Sequence, residues 1–181
     1  MLSVFDGLRD VTTLSVFVRL ACALICGGII GIERSYKRRP AGFRTHILIC
    51  IGAAITTLTS QYLYLNMHYF TDMARLGAQV VAGIGFIGAG TIIVTKRQRV
   101  KGLTTAAGLW TSAIIGLTFG GGFYEGGILA TVFIMLAELV FSRIEYRVLE
   151  NVPEINLYME YEDKHCPVSY THLTLPTTSR V

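Results

Sequence analysis

The chain has 181 residues, of which 52% are hydrophobic and only 15% are charged, and its mean hydropathy is +0.52. A soluble domain of this size carries about a quarter charged residues, so this composition excludes an ordinary water-soluble domain and indicates surfaces that face lipid. The formal net charge is +4. Because the basic residues form short clusters between apolar runs, we expect them to meet anionic lipid headgroups, and we expect no nucleic-acid binding.

Five apolar runs predict five transmembrane helices. They contain 18–21 residues each, or roughly 27–31 Å as helix, which matches the hydrocarbon core of a bilayer. The fourth run is more weakly hydrophobic, since it includes five threonine and serine residues. The runs cover residues 14–32, 45–65, 77–95, 102–119 and 123–141.

Lysine and arginine concentrate after the first, third and fifth runs, and they are sparse in the alternate connections. Loops rich in these residues stay on the cytoplasmic side of a membrane. We therefore predict that the N-terminus lies outside and the C-terminus inside, which requires an odd number of spans. The predicted fold is an all-α, polytopic membrane bundle.

The C-terminal part has a different pattern. Apolar and polar residues alternate over residues 155–161, which is typical of a half-buried strand. A single strand is not stable alone, so we expect a membrane domain over residues 1–148 and the start of a truncated cytoplasmic domain over residues 149–167. Residues 168–181 begin with a stretch that resembles a translated transposase sequencing adaptor, and we interpret them as an artefact.

Glycine is abundant in the third run. Its Gly83–Gly88 segment matches G-x-G-x-x-G, but no strand precedes it and no acidic residue follows at the required distance, so we expect no nucleotide site. Small residues at helical spacing allow close helix packing in lipid. We expect the third helix to be central to the bundle, with a homodimer seam as the alternative. The predicted packing residues are Gly27, Gly31, Ala78, Ala82, Gly83, Gly85, Gly88, Ala89 and Gly90, and Gly116 and Gly120 form a similar face.

The loop over residues 33–46 is rich in arginine. Pro40 and Gly42 predict a turn, because proline fixes φ and glycine tolerates positive φ. Thr45 is placed to cap the second helix, and Glu33 to pair with a nearby arginine. A basic membrane anchor needs these charges but not this order, so the alternative is a surface for phosphate, lipid headgroups or a partner protein.

Few charged residues lie at membrane depth. We expect Glu138 to pair with Arg143, and Arg19 to extend its side chain to the interface. Polar groups near the third span are functional candidates, but a magnesium path needs several oxygen ligands along its route, and the sequence shows no such series. It also shows no H-E-x-x-H, C-x-x-C or nucleophile-elbow motif, so we predict no enzyme, cofactor or metal site.

Several motifs in order resemble the MgtC/SapB family: Gly31–Arg34, Arg39–His46, Asp72–Arg75, Ala78–Ile92 and Val100–Trp110. The resemblance covers about residues 14–148. It implies a bacterial inner-membrane protein with five spans, often followed by a small cytoplasmic ACT-like domain. It also implies a link to growth in low magnesium and, in pathogens, to survival inside macrophages, through restraint of the F-type ATP synthase and not through magnesium transport.

The resemblance carries functional candidates over by motif position. They are Glu33, Arg34, Arg38, Arg39, Pro40, Gly42, Arg44, Thr45, His46, Asp72, Arg75 and Gln79. The predicted function is a regulatory membrane protein that docks laterally on another membrane complex. The alternatives are a transporter of magnesium or another ion, and an enzyme acting on lipid headgroups through the arginine-rich loop.

Overall fold

A computed structural model describes residues 3–69, 72–94 and 100–149. The predicted strand over residues 155–161 and the predicted adaptor-derived tail lie outside these residues. A short 3-10 helix, Ser3–Leu8, comes first. The main helices are α1 (Thr13–Tyr36), α2 (Phe43–Leu65), α3 (Arg75–Gly90), α4 (Leu103–Gly120), α5 (Tyr124–Leu136), a π-helical segment (Ala137–Phe141) and α6 (Ser142–Leu149).

Four helical segments in the described part of the chain are long and apolar enough to cross a membrane. They are Thr13–Tyr36, Phe43–Leu65, Leu103–Gly120 and Tyr124–Ile144, and the last runs through α5 and the π-helical segment into α6. With lengths of 18–24 residues, they span roughly 27–36 Å. The chain is thus mostly helical and has the architecture of a multi-pass membrane bundle.

Helix α3 is shorter than the predicted third span. It contains 16 residues, or roughly 24 Å, and it ends at Gly90, five residues before the predicted end. The chain turns there, and the short strands β1 (Ile93–Val94) and β2 (Val100–Lys101) pair in an antiparallel hairpin. Gly102 then takes a positive φ of 98° directly against the backbone of Thr91, a conformation and a contact that favour glycine.

Helix α2 lies between α1 and α4, and glycines on the outer two helices make the contact. A Cβ atom added at Gly27 would lie 2.9 Å from Cys50 Cβ, and one at Gly31 would lie 2.7 Å from Phe43 Cα. Gly116 and Gly120 of α4 meet the α2 backbone in the same way. The expectation that the third helix is central is therefore wrong, because α2 occupies that place.

Helix α3 packs on α4, and its residue Ile84 also packs against Ala53 of α2. Among its residues only Ile84 and Gly88 are buried, and Gly88 meets Ala106 of α4. A Cβ atom added at Gly83, Gly85 or Gly90 would meet nothing within 4 Å. We define the outer face of α3 as the exposed residues Ala78, Ala82, Gly85, Phe86 and Ala89.

Three hydroxyl groups of α4 form hydrogen bonds within the helix itself. Thr111 and Ser112 donate hydrogen bonds to the Gly108 carbonyl at 3.0 and 2.9 Å, and Thr118 donates to the Ile114 carbonyl at 2.7 Å. Such bonds to the preceding turn remove the cost of placing a hydroxyl in an apolar environment. This explains how a helix with several threonine and serine residues is suited to an apolar environment.

The glycine contacts predict different effects for one substitution at two sites. G31A places a methyl group against the α2 backbone and should destabilise the bundle by about 1–3 kcal/mol. G83A is the matched control, since its methyl group enters open space. Equilibrium unfolding in detergent micelles with increasing dodecyl sulfate measures both, and equal stability of the two variants would contradict the packing of α1 on α2.

Candidate functional site

A group of paired ionic side chains lies where α1 ends. Arg34 is 1% exposed, and its Nε donates to Glu33 Oε2 at 2.7 Å. Its Nη2 forms an ion pair with Glu138 of the π-helical segment. The predicted pairing of Glu138 with Arg143 is therefore wrong, because the rotation of the last helix turns this carboxylate toward α1. We call Glu33, Arg34, Lys37, Glu138 and Ser142 the inner cluster.

Lys37 completes the inner cluster. Its Nζ forms an ion pair with Glu33 Oε1 at 2.7 Å, and it donates to the Glu138 carbonyl at 2.6 Å and to Ser142 Oγ at 3.1 Å. The Lys37 ammonium group therefore faces three oxygen atoms, on Glu33, Glu138 and Ser142. Arg34 and Lys37 of this region thus bind both the carboxylate and the carbonyl of Glu138. Because π-helical turns are rare and recur at functional sites, this junction is a candidate site.

The turn between α1 and α2 differs from its prediction. The positive φ, 52°, belongs to Arg38, whereas Gly42 has an extended conformation with a φ of −117°. Helix α2 begins at Phe43, so Thr45 lies within its first turn and does not cap it. Gly42 matters for a different reason: a Cβ atom there would lie 2.5 Å from Ser35 Oγ, which accepts a hydrogen bond from the Phe43 amide at 2.8 Å.

The arginine-rich loop divides into exposed and buried members. Arg38, Arg39, Pro40 and Arg44 are exposed, whereas His46 is fully buried. His46 Nδ1 donates to the Gly42 carbonyl at 2.9 Å, which leaves Nε2 as an acceptor. This Nε2 atom has no hydrogen-bond partner among the described residues, and it lies beside Gly108 of α4.

A cavity of about 210 Å³ opens beside the inner cluster. We call it the inner cavity. It lies between the end of α1, the start of α4 and the π-helical segment. Its walls combine cationic, hydroxyl and apolar side chains, and they are formed by Lys37, Arg39, Thr104, Ala137, Glu138, Phe141 and Ser142.

The remaining polar candidates lie at the other end of α2. Asp72, Arg75 and Gln79 are exposed, and the Asp72 carboxylate accepts a hydrogen bond from the Ala74 amide at 2.9 Å. Ser60 of α2 donates to the Met73 carbonyl at 2.8 Å and fixes this connection. Since α2 has 23 residues, or roughly 35 Å, these candidates are far from the arginine-rich loop and do not form one site with it.

The largest fully buried side chain lies at this end of the bundle, and no partner inside the protein was predicted for it from the sequence. Arg19 of α1 is fully buried. Its Nη1 donates to Gln61 Oε1 at 2.7 Å and to the Gly120 carbonyl at 2.9 Å, and its Nη2 donates to the Arg9 carbonyl at 2.6 Å. The expectation that Arg19 extends to the interface is therefore wrong, because backbone carbonyls at the ends of other elements hold it inside.

Neighbouring contacts reinforce this end of the bundle. Tyr124 donates to the Leu8 carbonyl at 3.1 Å and stacks on Phe5 with ring centroids 4.9 Å apart. Arg9 pairs with Glu125 at 2.7 Å. We call Arg19 and the residues that it contacts, Arg9, Gln61 and Gly120, the outer cluster. The sequence signal for it was an arginine within an apolar run together with a glutamine near the opposite end of the next run.

The clusters differ from metal sites. Among the described residues, no group of three histidine, cysteine, aspartate or glutamate side chains could hold a metal ion. In the inner cluster, arginine and lysine donors take the carboxylate oxygens that a cation would need. The arrangement is suited to holding helix ends together and, through its exposed cations, to meeting an anion.

Comparisons with a family model and with individual proteins point to the same family. The model of the MgtC family matches residues 20–147. The protein named "Putative magnesium transporter YhiD" of Escherichia coli is 42% identical over 76% of this chain and 65% of its own length. An uncharacterized protein of Haemophilus influenzae is 40% identical over 68% and 54%. "Protein MgtC" of Salmonella typhimurium is 37% identical over 72% and 54%.

The chain therefore spans somewhat more than half the length of the curated relatives that it matches. No solved structure matches it.

The inner cluster predicts a large effect for one arginine and a small effect for its neighbour. R34Q leaves the buried Glu33 and the partly buried Glu138 without their shared cation and should cost about 3–5 kcal/mol of stability. R38Q, which alters an exposed arginine of the same loop, should change stability by less than about 0.5 kcal/mol. Unfolding with dodecyl sulfate measures both, and the double variant R34Q/E138Q should recover part of the loss.

The outer cluster predicts that lysine cannot replace Arg19. A single ammonium group cannot reach acceptors on three segments at once, so R19K should destabilise the protein by about 2 kcal/mol or more. R75K is the control, since Arg75 is exposed. A thermal midpoint for R19K equal to that of R75K would show that Arg19 does not hold the outer end together.

Proposed function

Because this chain belongs to the MgtC family, we propose that it is a regulatory protein of the bacterial inner membrane that acts in magnesium homeostasis by docking on another membrane complex. The F-type ATP synthase is the proposed partner. Growth at low magnesium and survival inside host cells are the conditions in which this activity would matter. The outer face of α3 is the observation that carries the proposal.

The outer face of α3 is suited to contact with a helix of another protein. It combines three alanines and a glycine with Phe86, whose exposed fraction is 85%. Within lipid, the hydrophobic effect does not drive helices together, and association depends on close packing of small residues and on hydrogen bonds. A helix whose small residues are left uncovered by its own bundle favours a lateral partner. A second copy of the chain is the alternative occupant.

The packing of the interior favours regulation over conduction. Between the inner and outer clusters, the space among α1, α2 and α4 is filled by buried residues, including Ala23, Cys50, Ala54 and Ile115. Gly27 and Gly116 bring both neighbouring helices against Cys50. A magnesium ion needs oxygen ligands or water along its path, and this closely packed region offers apolar groups.

The proposed topology has five spans, with α3 as the short third span and the inner cluster in the cytoplasm. In support of it, Arg39, Lys101 and Arg143 belong to alternate connections of the chain, and Arg39, Thr104 and Ser142, which lie in or next to these connections, line one cavity. Residues 149–167 would then begin a cytoplasmic, ACT-like domain. The proposed orientation places the outer cluster on the periplasmic side.

Magnesium transport is the second candidate function. The name of the Escherichia coli relative supports it. Vesicles containing the purified protein and a magnesium-sensitive dye separate the two candidates. A regulator gives no more magnesium entry than protein-free vesicles, whereas saturable entry that depends on the protein would favour transport.

The lateral docking proposal predicts face-specific crosslinking in native membranes. A photo-crosslinking amino acid at Phe86 of α3 should give a product with a second, larger protein complex. The same amino acid at Phe133 of α5, which has a comparable exposed fraction of 67%, is the control and should give little product. Products that contain only this chain, or equal products from both positions, would contradict the proposal.

A further inference from the structure

We propose that the inner cavity binds a phosphate group, either that of an anionic phospholipid headgroup or free inorganic phosphate. This inference goes beyond the regulatory role and does not depend on the identity of a partner complex. It rests on the charge balance of the cavity, on the hydrogen-bond donors of its wall and on its place at the end of the bundle.

The charges around the inner cavity do not cancel. Arg34, Lys37 and Arg39 provide three cations, and the carboxylates of Glu33 and Glu138 provide two anions, so one positive charge remains. Both carboxylates are already paired with Arg34 or Lys37. In the described part of the chain, Arg39 has no acidic partner, and it is the cation that remains available for a ligand.

Further donors surround the same space. Ser142 Oγ accepts its hydrogen bond from Lys37, so its own proton is free to be donated. Thr104 is the second residue of α4, and the first backbone amides of a helix have no carbonyl partner within that helix. Phosphate oxygens accept several such bonds from cations, hydroxyls and amides.

The rest of the wall is apolar. Ala137 and Phe141 of the π-helical segment form it, beside a transmembrane segment with exposed apolar side chains. A phospholipid presents a phosphate group directly next to its glycerol and acyl region, which matches this combination of cationic and apolar walls. The proposed cytoplasmic leaflet is also the one in which basic residues meet anionic headgroups.

Ligand-dependent stabilisation of the full chain in a non-ionic detergent tests the proposal. The probes that carry phosphate are dioleoylphosphatidylglycerol and inorganic phosphate. The controls are dioleoylglycerol, which lacks the phosphate, and sodium chloride at matched ionic strength. The variants are R39Q and, as a matched control, R44Q, because Arg44 is an exposed arginine of the same region that does not line the cavity. A137L fills the cavity without a change of charge and decides the outcome if R39Q does not fold.

We expect a saturable rise of the thermal midpoint that R39Q or A137L weakens by about tenfold in apparent affinity and that R44Q leaves unchanged. If phosphatidylglycerol alone gives this result, the ligand is the lipid headgroup; if inorganic phosphate gives it too, the free anion is sufficient. Three results would overturn the proposal. They are an equal loss of apparent affinity in R39Q and R44Q, a rise of the thermal midpoint with dioleoylglycerol equal to that with phosphatidylglycerol, and no saturable rise with either phosphate-bearing probe.

Discussion

The close approach of α1 and α4 to α2 is the constraint on which the rest of this bundle depends. Lipid chains solvate apolar side chains as well as a neighbouring helix does, so helices in a membrane need close contact to stay together. Gly27 and Gly31 supply that contact on one side of α2, and Gly116 and Gly120 supply it on the other. Because the middle of the bundle is filled by this packing, the buried polar groups lie at its two ends.

Both ends are fixed by arginines of the same helix. Arg34 binds two carboxylates at the inner end, and Arg19 binds carbonyl and amide oxygens at the outer end. Unpaired charges are costly in surroundings that exclude water, so each arginine specifies which elements meet α1. The result is a core of α1, α2 and α4 on which α3 packs. The outer face of α3 stays exposed and is available to a partner, while the other helices keep their positions.

Much of this architecture could be predicted from the apolar runs along the sequence, because the thickness of a membrane sets the length of an apolar helix. The predicted first, second and fourth runs agree with α1, α2 and α4 to within a few residues, and the ordered motifs identified the family. The partners of Glu138 and Arg19 could not be predicted, since they depend on how the helices are rotated. Spacing placed Ala82 and Gly85 of α3 near one another on a helix face, but it could not show that α2 would cover Gly27 and leave these residues exposed.

The central claim is that the middle of the bundle is closed to water, and the accessibility of Cys50 tests it most directly. In native membranes, a variant that retains Cys50 as its single cysteine would be treated with a small, charged thiol reagent at low and high magnesium, beside a variant whose single cysteine is introduced by R38C. We expect rapid labelling from the arginine-rich loop and almost none at Cys50 at either magnesium concentration. Labelling of Cys50 at a rate close to that of the loop would reveal an aqueous path and contradict the account.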